Sequence, residues 1–293
     1  MRSLLFVPAD SGRKLDKAMA SGADAVIVDL EDSIAAENKS AARKNAVDFL
    51  KDAVQLAKRP RLLVRVNGLH TGLTDDDLDA IVAARPDCIM LPKAEGGASV
   101  AHTDAKLTAR EAIAGLPEGH IKIVAIATET AASLFLTGTY GGSSPRLEGM
   151  TWGAEDLSAD LGAEVNRDAV GRFLSPYLMA RALCLAGAAV AHVQAIDTVA
   201  VEFRNIAAVR RETEEARRDG FTAKMAIHPA QVPVINEVFT PTTAAVAKAR
   251  AVVAAFEAHP GTGTIGIDGT MYDRPHLERA RQLIERASAA GVD

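Results

Sequence analysis

The stretch Ala25-Val26-Ile27-Val28-Asp29-Leu30-Glu31-Asp32 changes character once along its length. Its first four residues are wholly apolar, and three of the last four, Asp29, Glu31 and Asp32, are carboxylates. An apolar run without polar alternation suits a strand buried on both faces, as parallel strands are. The acids then fall where that strand ends.

The same order recurs along the chain. Strand-like runs are predicted at Ser3–Pro8, Ala25–Leu30, Arg61–Asn67, Cys88–Pro92, Ile121–Thr128, Gly149–Gly153, Val190–Ile196 and Ala223–His228. Helical patterns separate them at Gly12–Ala20, Glu37–Leu56, Asp75–Ala84, Ser99–Ala114, Ala131–Leu136, Arg167–Ala186, Val201–Arg218 and Ala230–Phe239. This alternation over residues 1–240 predicts an α/β fold, a (β/α)8 TIM barrel. A doubly wound open sheet is the structural alternative. Residues 241–293 exceed what a barrel needs and read as a C-terminal helical arm or lid. They hold an Ala-rich helix (Thr242–His259), a Gly-rich strand-like piece (Gly261–Gly269) and a helix from Pro275. Thr137–Ser144, rich in Gly, Ser and Thr, reads as a flexible loop.

In a TIM barrel, chemistry belongs at the carboxyl ends of the strands. There this chain places Asp29, Glu31 and Asp32, then Arg65 and Asn67, then Lys93 and Glu95, then Glu129, Glu155, Asp156, Asp197 and His228. Glu129 and Asp156 end adjacent strands, so their oxygens can converge on one hard cation, the way Mg²⁺ is usually held. Zinc is disfavoured, because no His or Cys pair stands at ligand spacing. Arg65 presents a planar fork that suits a substrate carboxylate, or else pairs with Asp29 or Glu31. Lys93 reads as a phosphate or carboxylate contact or as charge balance rather than a Schiff-base lysine. His228, before Pro229, either orders its loop or moves a proton.

The 293 residues are 48% hydrophobic and 24% charged, which excludes a disordered chain. A net charge of −5 argues against a general nucleic-acid binder. No apolar stretch reaches the roughly 20 residues a spanning helix needs, so no membrane role is expected. Met1-Arg2-Ser3 runs straight into a strand, so no targeting segment is expected either. Cys88 and Cys184 sit in apolar runs and read as buried thiols of a cytoplasmic protein.

Several motifs taken together carry a resemblance. They are Arg2-Ser3-Leu4-Leu5-Phe6-Val7-Pro8, Asp29-Leu30-Glu31-Asp32-Ser33, Val64-Arg65-Val66-Asn67, Leu91-Pro92-Lys93-Ala94-Glu95 and Ala226-Ile227-His228-Pro229. With them the chain resembles the citrate lyase beta-subunit-like family of the HpcH/HpaI aldolase superfamily, relatives of malyl-CoA and citramalyl-CoA lyases. The likeness runs from Arg2 to the Met271-Tyr272-Asp273 turn. It implies a Mg²⁺-dependent barrel enzyme, a homotrimer or hexamer, that makes or breaks a carbon–carbon bond beside a CoA thioester. By the same resemblance Glu129 and Asp156 bind Mg²⁺, Arg65 binds the 2-oxoacid, and Asp273 is an acid reaching a neighbouring subunit's site. Ala127-Thr128-Glu129 and Tyr272 depart from the aliphatic residues common in the family, which bears on the substrate pocket.

That chemistry needs a group to protonate the acyl-CoA enolate, and Asp273 is the candidate. Arg13, Lys14 and Lys17 after the first strand are candidates for the CoA phosphates, or form a solvated helix face. The expected activity is cleavage or formation of a 3-hydroxyacyl-CoA such as malyl-CoA or citramalyl-CoA. Thioester hydrolysis, a citrate lyase beta subunit using an acyl carrier protein, and a non-catalytic ligand-binding barrel are the alternatives.

Overall fold

Runs such as Ala25–Val28 and Leu62–Val64 are apolar on both faces because they lie between a barrel interior and a layer of helices. The computed structural model describes residues 1–292. Eight parallel strands pair in chain order, and the last closes on the first. They are β1 (Ser3–Pro8), β2 (Ala25–Asp29), β3 (Arg61–Arg65), β4 (Cys88–Leu91), β5 (Lys122–Ile126), β6 (Leu147–Thr151), β7 (Gln194–Asp197) and β8 (Ala223–Ala226). The TIM barrel expected from the sequence is therefore present, and the open sheet is excluded.

The helices of this part are α1 (Gly12–Met19), α2 (Lys39–Ala53), α3 (Thr74–Ile81), α4 (Gly97–Ala114) and α5 (Ala131–Leu134). After them come α6 (Ala154–Asp160), α7 (Ser175–Ala191), α8 (Ile206–Asp219) and α9 (Val232–Phe239). Alternate strand residues fill the barrel, among them Leu4, Ile27, Leu63, Met90, Val124, Ile126, Ile196 and Met225. The same alternation carries Asp29, two beyond Ile27, and Arg65, two beyond Leu63, onto the inward face. An apolar plug thus lies beneath a charged mouth.

Three local expectations are corrected. β6 begins two residues earlier than the predicted Gly149–Gly153. The helix predicted over Arg167–Ala186 is α7, starting at Ser175 with Pro176 in its first turn, and α6 precedes it. Between them Arg167 and Phe173 form an antiparallel bridge, with the Arg167 guanidinium 3.7 Å above the Phe173 ring and paired with Glu212. Those contacts override helical propensity there. Thr137–Ser144 is not a loose loop either: it contains a 3-10 turn, Thr137–Tyr140, pinned by the buried Tyr140. The Tyr140 hydroxyl donates to the Ala94 carbonyl at 3.1 Å.

The chain divides into two compact units, Met1–Asn236 and a second from Glu237 onward. In the second, α10 (Thr243–Ala258) and α11 (Arg274–Ala289) bury Ala249, Val252 and Phe256 with Leu277 and Ala280. The strand-like piece expected at Gly261–Gly269 is a hairpin, β9 (Thr264–Ile267) and β10 (Thr270–Asp273). Its two-residue turn, Asp268-Gly269, has φ of 49° and 76°, the left-handed geometry that Asp-Gly favours in tight hairpins. No helix among the described residues is long and apolar enough to cross a membrane.

Candidate active site

The acids after β2 meet the arginine of β3 at the mouth. Arg65 Nε donates to Asp29 Oδ1 at 2.7 Å and Nη2 to Asp29 Oδ2 at 2.6 Å, a bidentate pair. Nη1 lies 2.9 Å from Glu31 Oε2, but this ion pair lacks hydrogen-bond alignment, and Glu31 Oε2 is buried without a hydrogen-bond partner. Burial opposes both charges, yet the Asp29 hydrogen bonds raise the Arg65 pKa and hold that of Asp29 down. Of the five guanidinium N–H groups, three remain for another acceptor. The sequence left Arg65 between a substrate and a salt-bridge role, and the structure shows it in the salt bridge with donors to spare.

A cavity of about 610 Å³ opens beside this group, lined by Lys93, Glu129 and Asp156 together with His70, Glu95 and Thr130. Glu129 follows β5 and is only 3% exposed. Asp156 lies in the first turn of α6, where the helix dipole favours a negative charge. The two therefore face one cavity from adjacent strands. Lys93 joins them. Its backbone N–H donates to Glu129 Oε2 at 2.5 Å, and its ammonium lies 3.1 Å from Asp156 Oδ1. The same ammonium reaches Glu31 Oε1 at 2.5 Å and Asp32 Oδ2 at 3.0 Å. The ammonium donates to Glu31 and Asp32 and is ion-paired with Asp156, so Lys93 supplies charge balance rather than a nucleophile.

Burial, then the charges of Asp156 and Glu31, raise the Glu129 carboxyl from 4.5 to about 8. Five carboxyl groups (Asp29, Glu31, Asp32, Glu129, Asp156) thus stand among three cations: Arg65 and Lys93 in ion pairs, and Lys39, whose ammonium donates to the Glu31 backbone carbonyl at 2.7 Å and acts on Asp29, Glu31 and Asp32. Glu129 Oε1 accepts no hydrogen bond among the described residues. The cluster is short of positive charge and has unused carboxylate oxygens, which fits a hard divalent cation such as Mg²⁺. No group of three or more His, Cys, Asp or Glu suited to a metal occurs among the described residues, and Glu129 with Asp156 offers a pair of carboxylates. That is ordinary for Mg²⁺, which keeps waters or substrate oxygens in its remaining positions.

The other expected residues lie as follows. Arg13, Lys14 and Lys17 are exposed on α1. His228 orders its loop: Nδ1 accepts from the Ala230 N–H at 3.1 Å, and the ring stacks on Phe203 at 4.7 Å. Asp273 belongs to the second unit, where it caps α11, accepts from the His276 N–H at 3.4 Å and contacts His276 Nδ1. The hydrogen bond from His276 holds its carboxyl below the usual range. Sequence reasoning passed over His70 as a lining residue, because it stands neither in a motif nor at a strand end; Thr130 directly follows Glu129 after β5.

The sequence profile described as HpcH/HpaI aldolase/citrate lyase matches residues 2–229. A second, a C–C bond lyase of the TIM-barrel fold, matches residues 170–292. The chain is 33% identical to a (3S)-malyl-CoA thioesterase of Cereibacter sphaeroides over 292 residues, covering 98% of this chain and 95% of that protein. It is 32% identical to the citrate lyase subunit beta of Leuconostoc mesenteroides subsp. cremoris over 290 residues, covering 98% and 93%. Among solved structures, CitE of Mycobacterium tuberculosis, in complex with magnesium, acetoacetate and coenzyme A, matches with a TM-score of 0.78 and 31% identity, covering 98% of both chains. Profile, relatives and barrel agree over nearly the whole length, and by that agreement this chain is a member of the HpcH/HpaI aldolase/citrate lyase family.

Proposed function

We propose that the protein is a Mg²⁺-dependent carbon–carbon lyase that cleaves or forms a 3-hydroxyacyl-CoA, such as malyl-CoA or citramalyl-CoA, with a 2-oxoacid as co-product. The observation that carries this reading is the pair Glu129 and Asp156 in one cavity, short of positive charge. The magnesium and coenzyme A bound by the Mycobacterium tuberculosis relative support both ligands here.

Glu129 and Asp156 would hold the ion, which supplies Lewis-acid polarisation of the oxygens it binds. Arg65 offers its remaining N–H groups to the oxoacid carboxylate and, braced by Asp29, keeps the reacting carbons aligned. Asp273, like any aspartate, is ionised at neutral pH, the form that removes a thioester α-proton in the condensation direction. In cleavage the same carboxyl returns the proton to the enolate carbon. Arg13, Lys14 and Lys17 stand exposed on the helix after β1 and would meet the CoA phosphates. A homotrimer or hexamer is part of this proposal, and so is a cytoplasmic location, supported by the two buried free thiols.

Thioester hydrolysis is the second reading, favoured by the malyl-CoA thioesterase relatives. One assay separates them. Purified protein with Mg²⁺ and a panel of 3-hydroxyacyl-CoAs is followed by mass spectrometry. A lyase yields acyl-CoA and a 2-oxoacid, whereas a hydrolase yields free CoA and the intact hydroxyacid. Release of the hydroxyacid alone would overturn the lyase reading.

A further inference from the structure

Lys93 touches both carboxylates assigned to the metal, and it does so with different parts of itself. Its backbone N–H donates to Glu129 Oε2, and its ammonium forms an ion pair with Asp156 Oδ1 at 3.1 Å without hydrogen-bond alignment. The ammonium also holds Glu31 Oε1, so the acids after β2 are tied into the same point. This reach has a conformational cost. Lys93 has φ of 50°, in the left-handed region that a residue with a Cβ rarely adopts. Strain of this kind persists only where the surrounding structure enforces it, and it gathers at functional sites. The residue follows Pro92 just after β4, and the left-handed step accompanies an N–H donated to Glu129 and an ammonium ion-paired with Asp156.

We propose that Lys93 is the positioning residue of the metal centre, fixing Glu129 through its backbone and Asp156 through its ammonium so that both carboxylates present their free oxygens to one cation. The inference rests on the metal reading above. A lysine beside a metal site has a plain electrostatic effect as well: its positive charge repels a divalent cation. The two effects have opposite signs, which makes them separable. If Lys93 only balances charge, its removal tightens metal binding. If it positions the ligands, its removal weakens binding, as loss of the partners that orient metal ligands commonly does, by about 10–100-fold.

Lys93→Gly is the informative variant, because glycine adopts a φ of 50° freely and keeps the N–H on Glu129 while deleting the ammonium. Mn²⁺ is the probe, its affinity measured by calorimetry on the full chain, with circular dichroism to check folding. Lys93→Gly is expected to bind Mn²⁺ about 10–100-fold more weakly than wild type. Lys93→Arg, which restores a cation with several donors, is expected to recover part of that loss. Lys93→Asn, whose residue type also tolerates the left-handed region, carries the same test should the glycine variant fold poorly. Unchanged or tighter Mn²⁺ binding in Lys93→Gly, beside lost binding in a Glu129→Gln control, would overturn the positioning role alone. Equal binding by wild type and Glu129→Gln would overturn the metal reading and this inference together.

Discussion

A Cβ added at Gly153 would lie 2.7 Å from Glu129 Cγ and 3.1 Å from its Oε1. Gly153 has φ of −121°, which any residue adopts, so glycine stands here for space and not for backbone freedom. It lets Glu129 lie against the backbone where β6 passes into α6. Gly153→Ala is therefore expected to push the carboxylate out of place. Overpacking of this sort costs about 1–3 kcal/mol of stability, while metal and oxoacid binding should be largely lost. Calorimetry beside a denaturant melt checks this. Wild-type metal affinity in a folded Gly153→Ala variant would remove Glu129 from the metal site.

The crowding of Glu129 by burial, Asp156 and Glu31 has a pH consequence. Its folded pKa is raised, from 4.5 to about 8, so between those values the folded protein holds a proton that the unfolded chain has released. Stability of the metal-free protein should then fall as pH rises through that window. Added Mg²⁺ should reverse the fall by pairing with the ionised form, releasing a proton as it binds. Thermal midpoints from pH 5 to 8.5, with chelator and with Mg²⁺, read this out. Glu129→Gln cannot ionise and should flatten the metal-free profile. A wild-type profile already flat without metal would contradict the assignment.

Arg65 serves Asp29 and the substrate at once, and two substitutions separate the roles. Arg65→Met leaves the buried Asp29 without its bidentate partner, while Glu31 keeps Lys93, so a loss of about 3–5 kcal/mol in stability is expected. Arg65→Lys keeps the charge but not the fork. It should fold, with oxoacid affinity down by about 1.5–3 kcal/mol, the range for hydrogen bonds to charged groups. Unchanged oxoacid affinity in Arg65→Lys would confine Arg65 to bracing the mouth.

The barrel was legible because period and composition agree: apolar runs such as Ala25–Val28 end in acids, again and again. Glu129 and Asp156 were legible for the same reason, since adjacent strand ends face one cavity in any such barrel. What escaped the sequence depends on tertiary contact. Nothing local announces that Lys93 takes a positive φ, or that Arg167 and Phe173 pair across a loop in place of a helix. The burial of Tyr140 within a run of Gly, Ser and Thr is likewise set by the Ala94 carbonyl, 46 residues earlier in the chain.

Asp273 ends β10 and caps α11, so its carboxylate has a structural duty beside the chemical one proposed for it. Asparagine caps helices about as well as aspartate. Asp273→Asn should therefore keep the fold, and Mg²⁺ and oxoacid binding, while turnover falls by about 10²–10⁴, the usual contribution of general acid–base catalysis. The resemblance further implies that this acid serves a neighbouring subunit. Mixing Asp273→Asn with Glu129→Gln tests it, and Glu129→Gln is preferable to an Arg65 variant because Arg65 also holds a buried ion pair. Under conditions that exchange subunits, some mixed sites would receive a wild-type Glu129 from one chain and a wild-type Asp273 from another. Part of the activity should return in proportion to the fraction of mixed oligomers. No recovery despite demonstrated exchange would place Asp273 in the site of its own chain, and full turnover by Asp273→Asn alone would assign the proton transfer to another group.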